Sequence, residues 1–235
     1  MLIIFDLDDT LIDTSRVVTP QQLKKSLLKI KEQGLYLGDY ISAENMLLRL
    51  NETASSAKHA LLEFFEINRL DHKYFDMACR AVYDEISSDI AIEPCDGALD
   101  LISVLFESHK LALVTVGVQH LQLMKLKKAG IHSHFFSKIV VTQEKNKKLH
   151  YKAIIDELDF DPSDVIVCGD RIEIDLTPAK ELGLKTVQML SGRGLHCKGN
   201  REDVDYSISH LSKLIKILDS GFKYHINNGS SNHDI

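Results

Sequence analysis

An α/β fold, with a doubly wound parallel sheet and an all-α insertion, is predicted by two features of the chain. Apolar, β-rich runs alternate with helix-like segments through most of the sequence, while a long stretch near the N-terminus carries helical periodicity alone. The strand-like runs are Leu2–Phe5, Leu111–Val116, Lys138–Val141, Val165–Cys168 and Lys185–Gln188. Strands joined through helices lie parallel and are covered on both faces, which is why these runs are nearly continuous Val, Ile and Leu. The intervening helices are expected at Asp96–Ser108, Val118–Ala129, His150–Leu158 and Thr177–Leu182. Gly130 and Gly183 supply C-terminal stops, Pro178 suits a first turn, and Asp161-Pro162-Ser163 marks a turn before the fourth strand.

From Thr14 to Ile92 the apolar residues fall at helical spacing: Leu23, Leu27, Ile30; Met46, Leu47, Leu50; Leu61, Leu62, Phe65. The simplest use of such stripes is the shared core of a small bundle. The expected organisation is therefore a core of residues 1–13 and 93–220, a helical module at 14–92, and a polar, Gly/Ser/Asn-rich flexible tail at 221–235.

Composition narrows the function classes. With 235 residues, 44% hydrophobic and 26% charged, the chain suits one full core plus a smaller module. A net charge of −6 offers no basic field for a nucleic acid polymer or an anionic membrane. Met1 to Phe5 lead straight into acidic residues without the basic flank of a signal peptide, and no apolar run is long enough to span a bilayer, so a cytoplasmic monomer or homodimer is expected. Cys79, Cys95, Cys168 and Cys197 lack metal or disulfide spacing; Cys168, inside an apolar strand run, reads as a small buried hydrophobe.

In an open parallel sheet, ligands bind beyond the carboxyl ends of the strands. The first strand ends in Asp6-Leu7-Asp8-Asp9-Thr10, the second in Thr115-Val116-Gly117, and the fourth in Gly169-Asp170 followed by Asp175. A lone aspartate there would most simply be solvated or cap a helix. Four gathered in one crevice would repel by several kcal/mol unless a hard divalent cation neutralised them, and all-oxygen ligation suits magnesium.

These residues carry a family resemblance. Ile3-Ile4-Phe5-Asp6-Leu7-Asp8-Asp9-Thr10 resembles the first motif of the haloacid dehalogenase-like hydrolases, a hydrophobic strand followed by DxDxT. Gly169-Asp170 with Asp175 resembles the fourth motif, GDxxxxD, and Thr115 stands at the second-motif Ser/Thr. The match covers almost the whole chain and implies a Rossmann-like core with a helical cap inserted after the first motif. It further implies a magnesium-dependent phosphatase. Asp6 would attack phosphorus to give an aspartyl-phosphate, and Asp8 would act as acid and then base. Mg2+ would be held by Asp6, the backbone carbonyl of Asp8, Asp170 and Asp175, the last as a direct or outer ligand. Thr115 would bond the transferring phosphoryl group, with the amides of Val116 and Gly117 also facing it.

The family's third-motif lysine stands about six residues before an aromatic in the next helix. Among Lys145, Lys147 and Lys148, counting back from Tyr151 selects Lys145, while a shorter entry into the helix selects Lys148 as a substrate contact. Val116 departs from the Asn or small residue of many relatives, which removes one polar substrate contact. His132, His134, His225 and His233 lack zinc spacing and read as surface residues; Arg171 and Arg193 suit substrate contacts or salt bridges equally. The expected substrate is a small phosphorylated metabolite or nucleotide. Two alternatives are a phosphomutase of the β-phosphoglucomutase type, which returns phosphate to the product, and a noncatalytic binding module, against which intact Asp6, Asp8 and Asp170 count.

Overall fold

The structure is a computed structural model that describes residues 1–84, 86 and 89–221. The chain folds as two compact units, Met1–Asp13 with Glu93–Ile235, and Thr14–Ile92. Apart from Gly221, the 221–235 tail lies outside the described residues.

The first unit is built on a parallel sheet of β1 (Leu2–Phe5), β2 (Lys110–Val116), β3 (Lys138–Thr142), β4 (Val165–Gly169), β5 (Lys185–Met189) and β6 (Tyr206–Ile208), in the order β3-β2-β1-β4-β5-β6. Strand side chains alternate between faces. Leu2, Ile4, Ala112, Val114, Val165 and Val167 face one way and pack against Tyr151, Ile154 and Ile155 of α7 (Lys148–Leu158) and Ala179 of α8 (Thr177–Lys180). The alternate residues Ile3, Phe5, Leu111, Leu113, Ile166 and Cys168 are equally buried. With both faces covered, these strands have no solvent side on which to show polar alternation.

Helix α5 (Ala98–Phe106) buries Ala98, Leu101, Ile102 and Leu105; α6 (Gln119–Lys128) and α9 (Lys213–Gly221) complete the longer helices described in this unit. The sequence-expected helices appear with ends shifted by one or two residues, as fraying and capping turns allow. Strand β6 was not expected. Its three residues give too short an alternation to stand out, and its position is fixed from outside, where the Asp205 carboxylate preceding it accepts a 2.8 Å bond from the Thr186 backbone N–H in β5.

The second unit comprises α1 (Thr19–Glu32), α2 (Tyr40–Thr53), α3 (Ala57–Ile67) and α4 (Phe75–Tyr83). Leu23, Leu27, Ile30, Leu47, Leu61, Phe64 and Phe65 form its core. Asp39 and Ser56 cap α2 and α3 by accepting bonds from the Ser42 and His59 amides.

Strand order reverses across β1 and β4, which makes the crevice beyond their carboxyl ends a topological switch point, the usual ligand position in such sheets. Register fixes what reaches it. Phe5 lies level with Leu113 on one side and Cys168 on the other, so Asp6, Thr115 and Asp170 all emerge at one edge of the sheet.

Candidate active site

The chain leaves β1 at Asp6, whose amide still donates to Cys168 O at 2.9 Å, and folds into a tight turn in which Leu7 O accepts from Leu11 N and Ile12 N. Asp9 takes a positive φ of 58° within it. This turn removes a geometric conflict: on a continuing strand Asp6 and Asp8 would project from the same face with the same surroundings, whereas here they meet different neighbours.

Ligand oxygens of Asp6, Asp170 and Asp175 lie within 4.8 Å of one another, all three residues buried. Asp170 follows β4 directly. Asp175, from the helical turn Ile172–Leu176, folds back over the end of β4, and Gly169 makes this possible: a Cβ there would stand 2.5 Å from Asp175 Cβ and 2.7 Å from its Cγ. One Asp175 oxygen accepts from the Arg171 amide at 2.9 Å, and the other accepts from Lys147 Nζ at 2.6 Å. Lys147 Nζ also donates to Asp6 Oδ1 at 2.6 Å, with its side chain 1% exposed. Behind Asp170, Gln188 Nε2 donates to its carbonyl at 3.3 Å and to Gly194 O at 3.1 Å, and Arg201 anchors Gln188 Oε1 at 2.6 Å.

Three carboxylates against one ammonium leave two negative charges, and counting the partly buried Arg171 still leaves one. The titration of the carboxyls reflects burial first and the neighbouring charges second. Burial pushes the Asp6 carboxyl up to about 7, against the pull of Lys147 and with a further push from Asp175. Asp170 is raised well above the carboxylate range, first by burial and then by Asp175 and Asp6. Burial works against the charge on Lys147, but Asp175 and Asp6 outweigh it and hold the ammonium firmly protonated. A hard, oxygen-only, electron-rich cluster of this kind fits Mg2+.

Asp8 lies outside that cluster. Its carboxylate takes Lys125 Nζ at 2.8 Å and 3.1 Å, one contact to each oxygen, and Gln122 Nε2 at 2.8 Å, both from α6. These bonds engage the Asp8 side chain, whereas the ligation expected of Asp8 is through its backbone carbonyl. Thr115 is buried at the end of β2, and its hydroxyl accepts from the same Gln122 amide at 2.7 Å. The Gly117 N–H, expected to face an anion, is instead donated to Thr142 O at 2.8 Å, because the β2–β3 pairing continues past the strand. Val116 is partly exposed beside it, its carbonyl accepting from Gln122 at 3.2 Å.

The lysine expectation needs correction. Lys145 is exposed, and Lys148 Nζ pairs with Glu181 at 2.9 Å on the surface. Lys147 is the residue delivered to Asp6, because it immediately precedes α7 and opens the buried stripe Lys147, Tyr151, Ile154, Ile155. That spacing was readable, and counting from the helix face rather than from the aromatic would have found it. Gln122 and Lys125 belong to no motif; their only signal in the sequence is that they share helical spacing with Leu121 and Leu126. The Cys168 thiol, fully buried and pushed far above its ordinary value by burial, is inert packing.

A parallel sheet in this strand order, with an acidic crevice at its switch point, defines an α/β protein of the Rossmann-like class. The chain belongs to the haloacid dehalogenase-like hydrolase family, whose model matches residues 1–183. It is 26% identical to the glyceraldehyde 3-phosphate phosphatase of Methanocaldococcus jannaschii, over 92% of this chain and 96% of that protein. Among solved structures, a predicted phosphoglycolate phosphatase from Haemophilus somnus has a TM-score of 0.68 at 20% identity, covering 92% of this chain and 97% of its own. The HAD hydrolase YfnB of Bacillus subtilis, bound to magnesium, has a TM-score of 0.61 at 21% identity, covering 93% of this chain and 98% of its own.

Proposed function

We propose that this hydrolase is a magnesium-dependent phosphatase that cleaves a small phosphomonoester through an aspartyl-phosphate on Asp6. One observation carries the reading: Asp6 lies at the switch point with Asp170 and Asp175, held by a buried lysine and short of positive charge. Asp6 and Asp170, with the Asp8 carbonyl, would hold Mg2+; Asp175, both of whose oxygens already accept hydrogen bonds, would serve as an outer residue that fixes Lys147 and the turn after β4. The bound cation supplies charge neutralisation for the carboxylates and the incoming phosphate.

Asp6 attacks phosphorus while Lys147 offsets the charge gathered there and Thr115 bonds a phosphoryl oxygen. Asp8 gives its proton to the departing oxygen, then takes one from the water that attacks the aspartyl-phosphate. The helical unit Thr14–Ile92 is the candidate for substrate selection. Its two connections are paired within the core unit, Asp13 N to Glu93 O at 3.0 Å and Cys95 N to Leu11 O at 2.9 Å, directly after the turn that carries Asp8. Names of related proteins put three-carbon phosphates first among candidate substrates, with other small metabolite and nucleotide phosphates beside them.

Phosphate release from p-nitrophenyl phosphate and a metabolite panel, with Mg2+ or with chelator, tests the proposal. Asp6→Asn is expected to lower turnover by on the order of 10⁴-fold or more while remaining folded. Turnover by that variant at the wild-type rate, or wild-type turnover unaffected by chelation, would sink it.

A further inference from the structure

Gln122 and Lys125 sit one turn apart on α6 and are buried, yet each belongs to a residue type that is seldom buried without a dedicated partner. Both converge on one carboxylate. Lys125 Nζ spans the two Asp8 oxygens, and Gln122 Nε2 adds a bond to Oδ2 while reaching Thr115 Oγ1 at 2.7 Å. A single amide nitrogen has two protons, and its two shortest contacts link Asp8 to Thr115. Room for this bridge comes from Gly117, where a Cβ would stand 3.0 Å from both Cγ and Cδ of Gln122.

We propose that Lys125 and Gln122 are positioning residues for the Asp8 carboxylate, and that their clamp fixes the orientation in which Asp8 meets the leaving group and the attacking water. The inference rests on the reading of Asp8 as proton carrier given above. An aspartate side chain has a choice of rotamers. The clamp holds one of them, and links it through Gln122 to the Thr115 hydroxyl. In the first transfer the bond from Asp6 oxygen to phosphorus forms, the ester P–O bond breaks, and the Asp8 proton goes to the leaving oxygen. The resulting carboxylate lies against Lys125 until water attacks phosphorus, returns a proton to Asp8 and releases phosphate from Asp6. Both steps use the same oriented carboxyl group, so both suffer if it swings free.

Leaving-group dependence separates positioning from general structural damage. Phenyl phosphate and p-nitrophenyl phosphate are close in shape, but phenolate needs a proton on departure far more than p-nitrophenolate does. Lys125→Met is expected to lower kcat for phenyl phosphate about 10–100-fold, with KM changed much less, and the first-turnover release of p-nitrophenol by at least about tenfold less than that. Slow hydrolysis of the aspartyl-phosphate then appears as a burst of p-nitrophenol, and Lys125→Arg recovers part of the loss. Circular dichroism and the Mg2+ titration midpoint should match the wild type. Equal losses on both substrates without a burst, or no loss on either, would overturn the inference. Should Lys125→Met fail to fold, Gln122→Met carries the same test, with the same leaving-group split expected and its absence decisive. A wild type that releases phosphate from no ester in the panel would instead defeat the phosphatase reading itself.

Discussion

Asp6 and Asp8 stand two residues apart in one turn, share a residue type, and live in opposite electrostatic company. Asp6 is enclosed with Asp170 and Asp175 and shares a single ammonium, Lys147, with one of them. Asp8 has an ammonium of its own from Lys125 and an amide from Gln122. The first carboxylate is short of positive charge and is suited to a cation and to phosphorus; the second is held in one orientation by the donors on its oxygens. The lesson is that identical groups acquire different chemistry from the helices packed behind them, α7 for one and α6 for the other.

Removing the one ammonium from the crowded side breaks this contrast most severely. Lys147→Met leaves Asp6 and Asp175 buried without their shared partner, and breaking a buried pair in this way costs about 3–5 kcal/mol. Urea unfolding of the metal-free protein should show that loss, and turnover should fall on the order of 10²–10³-fold as charge at the reacting centre goes uncompensated. Saturating Mg2+ is expected to restore part of the stability and little of the rate. A variant as stable and as active as the wild type would mean that Lys147 is a spectator.

The two sides of the comparison were unequally legible in the sequence. Asp6, Asp170 and Asp175 were readable because each follows an apolar strand or sits in a motif of fixed spacing, and a parallel sheet brings strand ends together whatever the helices do. The five longer strands were readable for a related reason, since burial on both faces removes the polar residues that blur a pattern. The α6 clamp was not. Gln122 and Lys125 reach Asp8 across separations of 114 and 117 residues, and only the packing of α6 tells which face of that helix is buried. Lys147 stood between these cases, hidden among three lysines until the helix start was known. The Gly117 N–H is taken by Thr142 O, a pairing past the end of β2 that belongs to the sheet and does not read from one strand.

A pH series sharpens the same contrast with a smaller effect. The folded Asp6 carboxyl holds its proton up to about pH 7, whereas an unfolded aspartate releases it near 3.8. Between those values the folded state binds the extra proton, so this group's contribution to metal-free stability is full below the lower value and is lost as pH rises through the upper one. Mg2+ requires the ionised cluster, so its stabilisation runs the other way. The gain in unfolding free energy on adding saturating Mg2+ should be small at about pH 5 and larger at about pH 8, with the difference amounting to about a few kcal/mol. A Mg2+ effect independent of pH would contradict the crowded, protonated cluster, and Asp170→Asn should flatten the response if the carboxylates are its source.

The smallest effect belongs to the lysine that sequence spacing favoured. Lys145 is exposed in the loop before α7, two residues from Lys147 in sequence, and its neighbour supplies the buried ammonium to Asp6. If proximity in the chain were enough, Lys145→Met and Lys147→Met would resemble each other. Placement on the helix decides instead: Lys147 begins the stripe that continues through Tyr151 and Ile154, so only it is turned inward. Turnover of Lys145→Met should stay within about twofold of the wild type, as surface substitutions away from a site generally do. A loss comparable to that of Lys147→Met would show that the loop rearranges when substrate binds and brings the outer lysine to the phosphate, which would move part of the charge compensation from the helix start to the loop ahead of it.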